Sequence, residues 1–88
     1  MADFVQDLGD QLAKDVLEAQ GELDDDRFYE QVGRVLMTSS PTLNEAFMTS
    51  VRIRLAERRA RAFFDKALAA KREGGAAPEA PKDYGVGH

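Results

Sequence analysis

The sequence predicts an all-α fold: a small three-helix domain with two shorter helices, a long third helix and a disordered C-terminal tail. Three observations carry this expectation. Apolar residues recur at spacings of three and four through three segments. Helix-start and helix-stop residues fall at the ends of those segments. No stretch alternates apolar and polar residues over a length that would make a strand. The expected division is a helical domain over 1–73, with helices at about 4–20, 25–38 and 43–72, and a flexible tail over 74–88.

The first helix opens at Asp3, a capping residue, with Gln6 three positions on where a capping-box partner belongs. Val5, Leu8, Leu12, Val16 and Ala19 form its seam, with Phe4, Ala13 and Leu17 beside it. Asp7, Asp10, Lys14 and Glu18 take the other side. Gly9 weakens the middle by about 1 kcal/mol relative to alanine. Gly21 suits a left-handed residue just past the helix end. The second helix follows Asp24-Asp25-Asp26, which can cap it and favour the positive end of its dipole. Its buried stripe reads Phe28, Val32, Val35 and Leu36, with Tyr29 at the edge. Thr38-Ser39-Ser40-Pro41 ends it.

The third helix has two possible starts. Ser40 can cap it with Pro41 at the first helical position, or Thr42 can cap it with Glu45 completing a capping box. The second start is slightly preferred. The helix then runs about thirty residues without glycine or proline, and Lys71 and Arg72 suit its negative end. Gly74-Gly75 stops it. Its apolar face changes sides halfway along. Leu43, Phe47, Val51 and Leu55 are spaced by four; Ile53, Ala56, Ala60, Phe63, Phe64 and Ala67 follow at threes and fours. At about 100° per residue the two sets centre roughly opposite each other. A small monomer has too little chain to bury both, so the second face predicts a partner.

Composition narrows the function. Eighty-eight residues allow one domain, and a core this small is marginal, which favours oligomerisation or docking. Cysteine is absent and the single histidine is His88, which excludes disulfides, thiolate metal sites and histidine-based catalysis in the body of the chain. No apolar run approaches the ~18 residues of a membrane span, and Met1-Ala2-Asp3-Phe4 lacks the basic region of a signal peptide. A cytoplasmic location is expected. No glycine-rich phosphate loop, nucleophile elbow or Glu-x-x-His pair occurs. The chain is therefore expected to be no enzyme and to carry no cofactor or metal. The aspartate cluster at 24–26 lacks the alternating ligands and central glycine of a calcium loop.

The net charge of −4 hides an asymmetry: residues 1–30 carry ten acids against two bases, whereas residues 31–72 carry nine bases against three acids. Opposed patches of this kind steer association more than they fix a fold. The expected function is a helical protein–protein interaction module, meaning a small subunit, adaptor or regulator, that docks helices and self-associates. Its contact residues are Ile53, Ala56, Ala60, Phe63, Phe64 and Ala67, rimmed by Arg52 and Arg59. Its partner is itself or a larger protein. The alternative is an oligomeric nucleic-acid-associated regulator or packaging protein using Arg54, Arg58, Arg61 and Arg72. The overall pI of about 4.9 and the split of these arginines into two stripes disfavour it. A helix-turn-helix reading of helices two and three is weak, because the segment Thr42–Met48 contains no basic residue.

Overall fold

The computed structural model describes residues 3–81. Those residues form three helices, α1 (Phe4–Leu23), α2 (Phe28–Ser39) and α3 (Pro41–Glu73), and no strand. The all-α expectation holds. The chain divides into two compact units, Met1–Leu55 and Ala56–His88. The division falls within α3, at the point where its apolar face changes sides.

In the first unit, Asp3 caps α1: its Oδ1 accepts from the amides of Val5 and Gln6 at 2.9 and 3.4 Å. The helix does not stop at Gly21. It continues to Leu23, and Asp24 takes the left-handed conformation (φ 52°) that ends it. Aspartate tolerates this region better than most side chains. The acidic cluster then works as turn chemistry. Asp25 accepts from the Arg27 amide and the Gln31 side chain, at 3.0 and 3.1 Å, and Arg27 forks onto Glu30 at 2.7 Å. Helix α2 consequently begins at Phe28, three residues later than expected, with Arg27 in the capping position and no side-chain cap. Helix α3 uses the less favoured of the two starts: the Leu43 amide donates to Ser40 Oγ at 3.1 Å and the Asn44 amide to the Ser40 carbonyl at 2.9 Å. Pro41 sits at the first helical position, where its missing N–H costs nothing.

The core of this unit is Ala13 and Leu17 of α1 against Phe47 and Val51 of α3, all buried. Leu12, Val16, Tyr29, Val32, Leu36, Met48 and Leu55 pack around it, half-buried. Two glycines set the spacing of the helices. A Cβ on Gly9 would lie 2.8 Å from the Ala46 carbonyl carbon, the Ala46 Cβ and the Phe47 nitrogen. Helix α1 therefore crosses the first half of α3 in direct contact with its backbone. A Cβ on Gly33 of α2 would lie 3.2 Å from Asn44 Oδ1 and 3.4 Å from Met48 Sδ. The buried stripe of α1 accordingly runs through Gly9, Ala13, Leu17 and Gln20, turned from the expected seam, and leaves Phe4 and Leu8 exposed. In α2 the buried residue is Gly33, and Val35, expected in the stripe, is 65% exposed.

The second unit contains the remainder of α3. Its end is a Schellman motif: Gly74 is left-handed (φ 74°), its amide donates to the Lys71 carbonyl at 3.4 Å, and the Gly75 amide donates to the Ala70 carbonyl at 2.8 Å. Residues 75–81 carry no regular secondary structure. The remainder of the expected tail, 82–88, with Tyr84 and His88, lies outside the described residues.

Candidate docking face

The residues that sequence patterning singled out fall in both units. Arg52 and Ile53 belong to the first, and both are exposed, Ile53 to 64%. Ala56, Arg59, Ala60, Phe63, Phe64 and Ala67 belong to the second. There Ala56, Arg59, Ala60, Phe63 and Phe64 are exposed, and Ala67 is half-buried. Phe63 and Phe64 keep 37% and 54% of their surface accessible. Isolated exposed apolar residues are ordinary on protein surfaces. Two adjacent phenylalanines set among Ala56, Ala60 and Ala67 form a contiguous stripe along one helix side. The cause is local: at ~100° per residue these positions cluster, whereas Arg58, Asp65 and Arg72 project from the other side. Beside Phe64 runs a shallow groove of about 200 Å³, lined by Glu57, Ala60, Arg61 and Phe64.

The arginines of the alternative reading have different fates. In the first unit, Arg54 is drawn into a closed network. Ser50 donates to Asp10 Oδ1 at 2.6 Å, Arg54 Nε donates to Ser50 Oγ at 3.1 Å, and Arg54 Nη2 reaches the same Asp10 oxygen at 2.9 Å. These bonds, Ser50's first and Arg54's next, hold the Asp10 carboxyl below its ordinary range. In the second unit, Arg61 forks onto Glu57 Oε2 through Nε and Nη2 at 3.1 and 2.8 Å, which raises the Arg61 pKa further. Arg58 and Arg72 are exposed and make no ion pair among the described residues. Two of the four proposed phosphate-binding arginines are thus engaged within the chain.

Sequence reasoning missed the Asp10–Ser50–Arg54 clasp. Its members are forty residues apart, so no spacing rule links them. The one available signal was a serine and an arginine one turn apart (Ser50, Arg54) beside the apolar stripe of α3. The clasp gives a pH dependence with a definite sign. A carboxyl depressed in the folded state contributes stability above its unfolded value of about 3.9, and that contribution fades as pH falls through the lower folded value. Asp10→Asn is expected to flatten the decline in urea midpoint between neutral pH and about pH 3. A decline as steep as the wild type's would remove Asp10 from the account.

Among the described residues no group of three histidine, cysteine or acidic side chains is placed to hold a metal ion. No helix there is long and apolar enough to cross a membrane. Comparison with known protein families, with curated proteins and with solved structures finds no match.

Proposed function

We propose that the chain is a non-enzymatic helix-docking module that self-associates through the apolar side of α3 in its second unit. The observation that carries this reading is the exposure of Phe63 and Phe64 on a stripe otherwise built from alanine. Small residues allow a second helix to come close, and aromatic anchors supply most of the buried area when it does. The first unit has its own buried core, Ala13, Leu17, Phe47 and Val51, and none of those residues belongs to the stripe. A small cytoplasmic subunit, adaptor or regulator fits these features.

Sedimentation equilibrium on two variants tests the reading. Phe63→Asp places a charge in the stripe and is expected to abolish association while most helical circular dichroism remains. Arg58→Glu combined with Arg72→Glu changes the other side and is expected to leave association within about twofold, since exposed charges contribute little. Persistence of association in Phe63→Asp contradicts the proposed face. Loss of it only in the arginine variant moves the binding surface to the basic side.

A further inference from the structure

The flanks of the stripe say what covers it. On one side of Ala60, Phe63, Ala67 and Ala70 lie Glu57, Phe64 and Lys71; on the other lie Arg59, Lys66 and Glu73. Written as a heptad, Ala60 and Ala67 are a positions and Phe63 and Ala70 are d positions. The flanks are then e and g. Along Glu57–Glu73 the e flank runs from acid to base and the g flank from base to acid. A segment with such opposed ends complements itself when reversed. Resting on the proposed self-association, we infer that the occupant is the same segment of a second copy, antiparallel, with Phe63 opposite the partner's Ala67.

In that register each phenylalanine at the seam meets an alanine, so large faces small on both sides of the two-fold axis. Ala60 meets the partner's Ala70. On the e flank Glu57 meets the partner's Lys71, and Phe64 meets the partner's Phe64 at the axis. On the g flank Arg59 meets the partner's Glu73. Symmetry doubles each charged pair, giving four attractive contacts. The cost is one like-charge contact, Lys66 against the partner's Lys66. The internal Arg61–Glu57 fork does not compete, because both of its bonds use Oε2 and leave Oε1 to accept from lysine. The groove beside Phe64 lies on the flank where the partner's Lys71 arrives.

The alternatives fare worse on the same residues. Antiparallel pairing slid by one heptad in one direction sets Arg59 against the partner's Lys66 twice and Glu57 against the partner's Phe64; slid in the other it keeps only Lys66 with the partner's Glu73 and leaves Glu57 and Arg59 without charged partners. Parallel pairing sets each e against the partner's g five residues earlier, which places Phe64 beside the partner's charged Arg59, sets Lys71 against the partner's Lys66 and separates Phe64 from its own copy.

Charge reversal and cross-linking test the register on the full chain. Glu57→Lys alone and Lys71→Glu alone are each expected to raise the dimer dissociation constant roughly three- to tenfold, since each turns two attractive pairs into repulsive ones. The double variant Glu57→Lys with Lys71→Glu is expected to return to within about twofold of wild type. A loss that came only from the Arg61 pair would persist in the double variant and would overturn the pairing. The chain has no cysteine of its own. Under mild oxidation, a mixture of Ala60→Cys and Ala70→Cys chains is expected to form the mixed disulfide, and neither chain alone a dimer band. Self-linking of Ala60→Cys alone would establish a parallel dimer and overturn the inference. A dimer broken by Phe63→Asp that shows neither the charge rescue nor the mixed link would overturn the register and leave the docking face standing. A wild-type chain that stays monomeric would overturn both.

Discussion

Gly9→Ala is expected to lower the thermal midpoint of the first unit, although alanine is the better helix former. The substitution gains about 1 kcal/mol in helix propensity. Against that, the new methyl would lie 2.8 Å from backbone atoms of Ala46 and Phe47, which cannot swing aside as a flexible side chain would. Pushing two packed helices apart costs typically 1–3 kcal/mol. A net loss of about 1 kcal/mol moves the midpoint by roughly 4–8 °C in a domain this size. Gly21→Ala is the matched control. Gly21 lies inside α1, and a Cβ there meets nothing within 4 Å. The same change is expected to raise the midpoint by a similar amount. Calorimetry on the two variants therefore reads opposite signs. Equal signs would mean that α1 does not approach α3 at Gly9.

Phe47→Ala is expected to be the most damaging single change in the chain. Phe47 is fully buried and is the largest fully buried side chain of a small core that also contains Ala13, Leu17 and Val51. Deleting a buried phenylalanine ring costs about 3–5 kcal/mol, and small domains hold only about 5 kcal/mol or little more. The far-ultraviolet helical signal is expected to fall and the amides of α1 and α2 to lose their hydrogen-exchange protection. Phe63→Ala supplies the contrast. Phe63 is partly exposed in the second unit, so its removal is expected to leave the core amides protected and to weaken association instead. Loss of protection in both variants would mean that Phe63 also supports the fold.

What was legible in the sequence follows from the range of the interactions involved. Helix identity depends on neighbours three and four residues away, and all three helices were readable. So was the burial of Phe47 and Val51, because the four-residue spacing of Leu43, Phe47, Val51 and Leu55 defines one side of α3. The starts and stops were less legible where two residues could do the same work. Gly21 offered a helix end that the chain did not use, because Asp24 takes the left-handed position three residues later. Ser40 and Thr42 both offered a cap, and the bond forms at Ser40.

Least legible were features set by which helix sides meet. Gly9 read as a local weakness and is the point of closest approach between α1 and α3. Val35 read as core and is exposed, because Gly33 brings another side of α2 inward. The Asp10–Ser50–Arg54 clasp joins residues from distant parts of the chain. The second apolar side of α3 was visible from spacing alone, and Phe63 and Phe64 on it are exposed. Its charged flanks required only the order of Glu57, Arg59, Lys66, Lys71 and Glu73 once the stripe was placed.

The solution mass of the wild-type chain tests the central claim most directly, measured by light scattering coupled to size exclusion across a range of concentrations at low and moderate salt. Self-association through an apolar stripe predicts a mass of twice 9.7 kDa at the higher concentrations, with little salt dependence beyond that of a few exposed pairs. A folded chain that stays at 9.7 kDa throughout would contradict it.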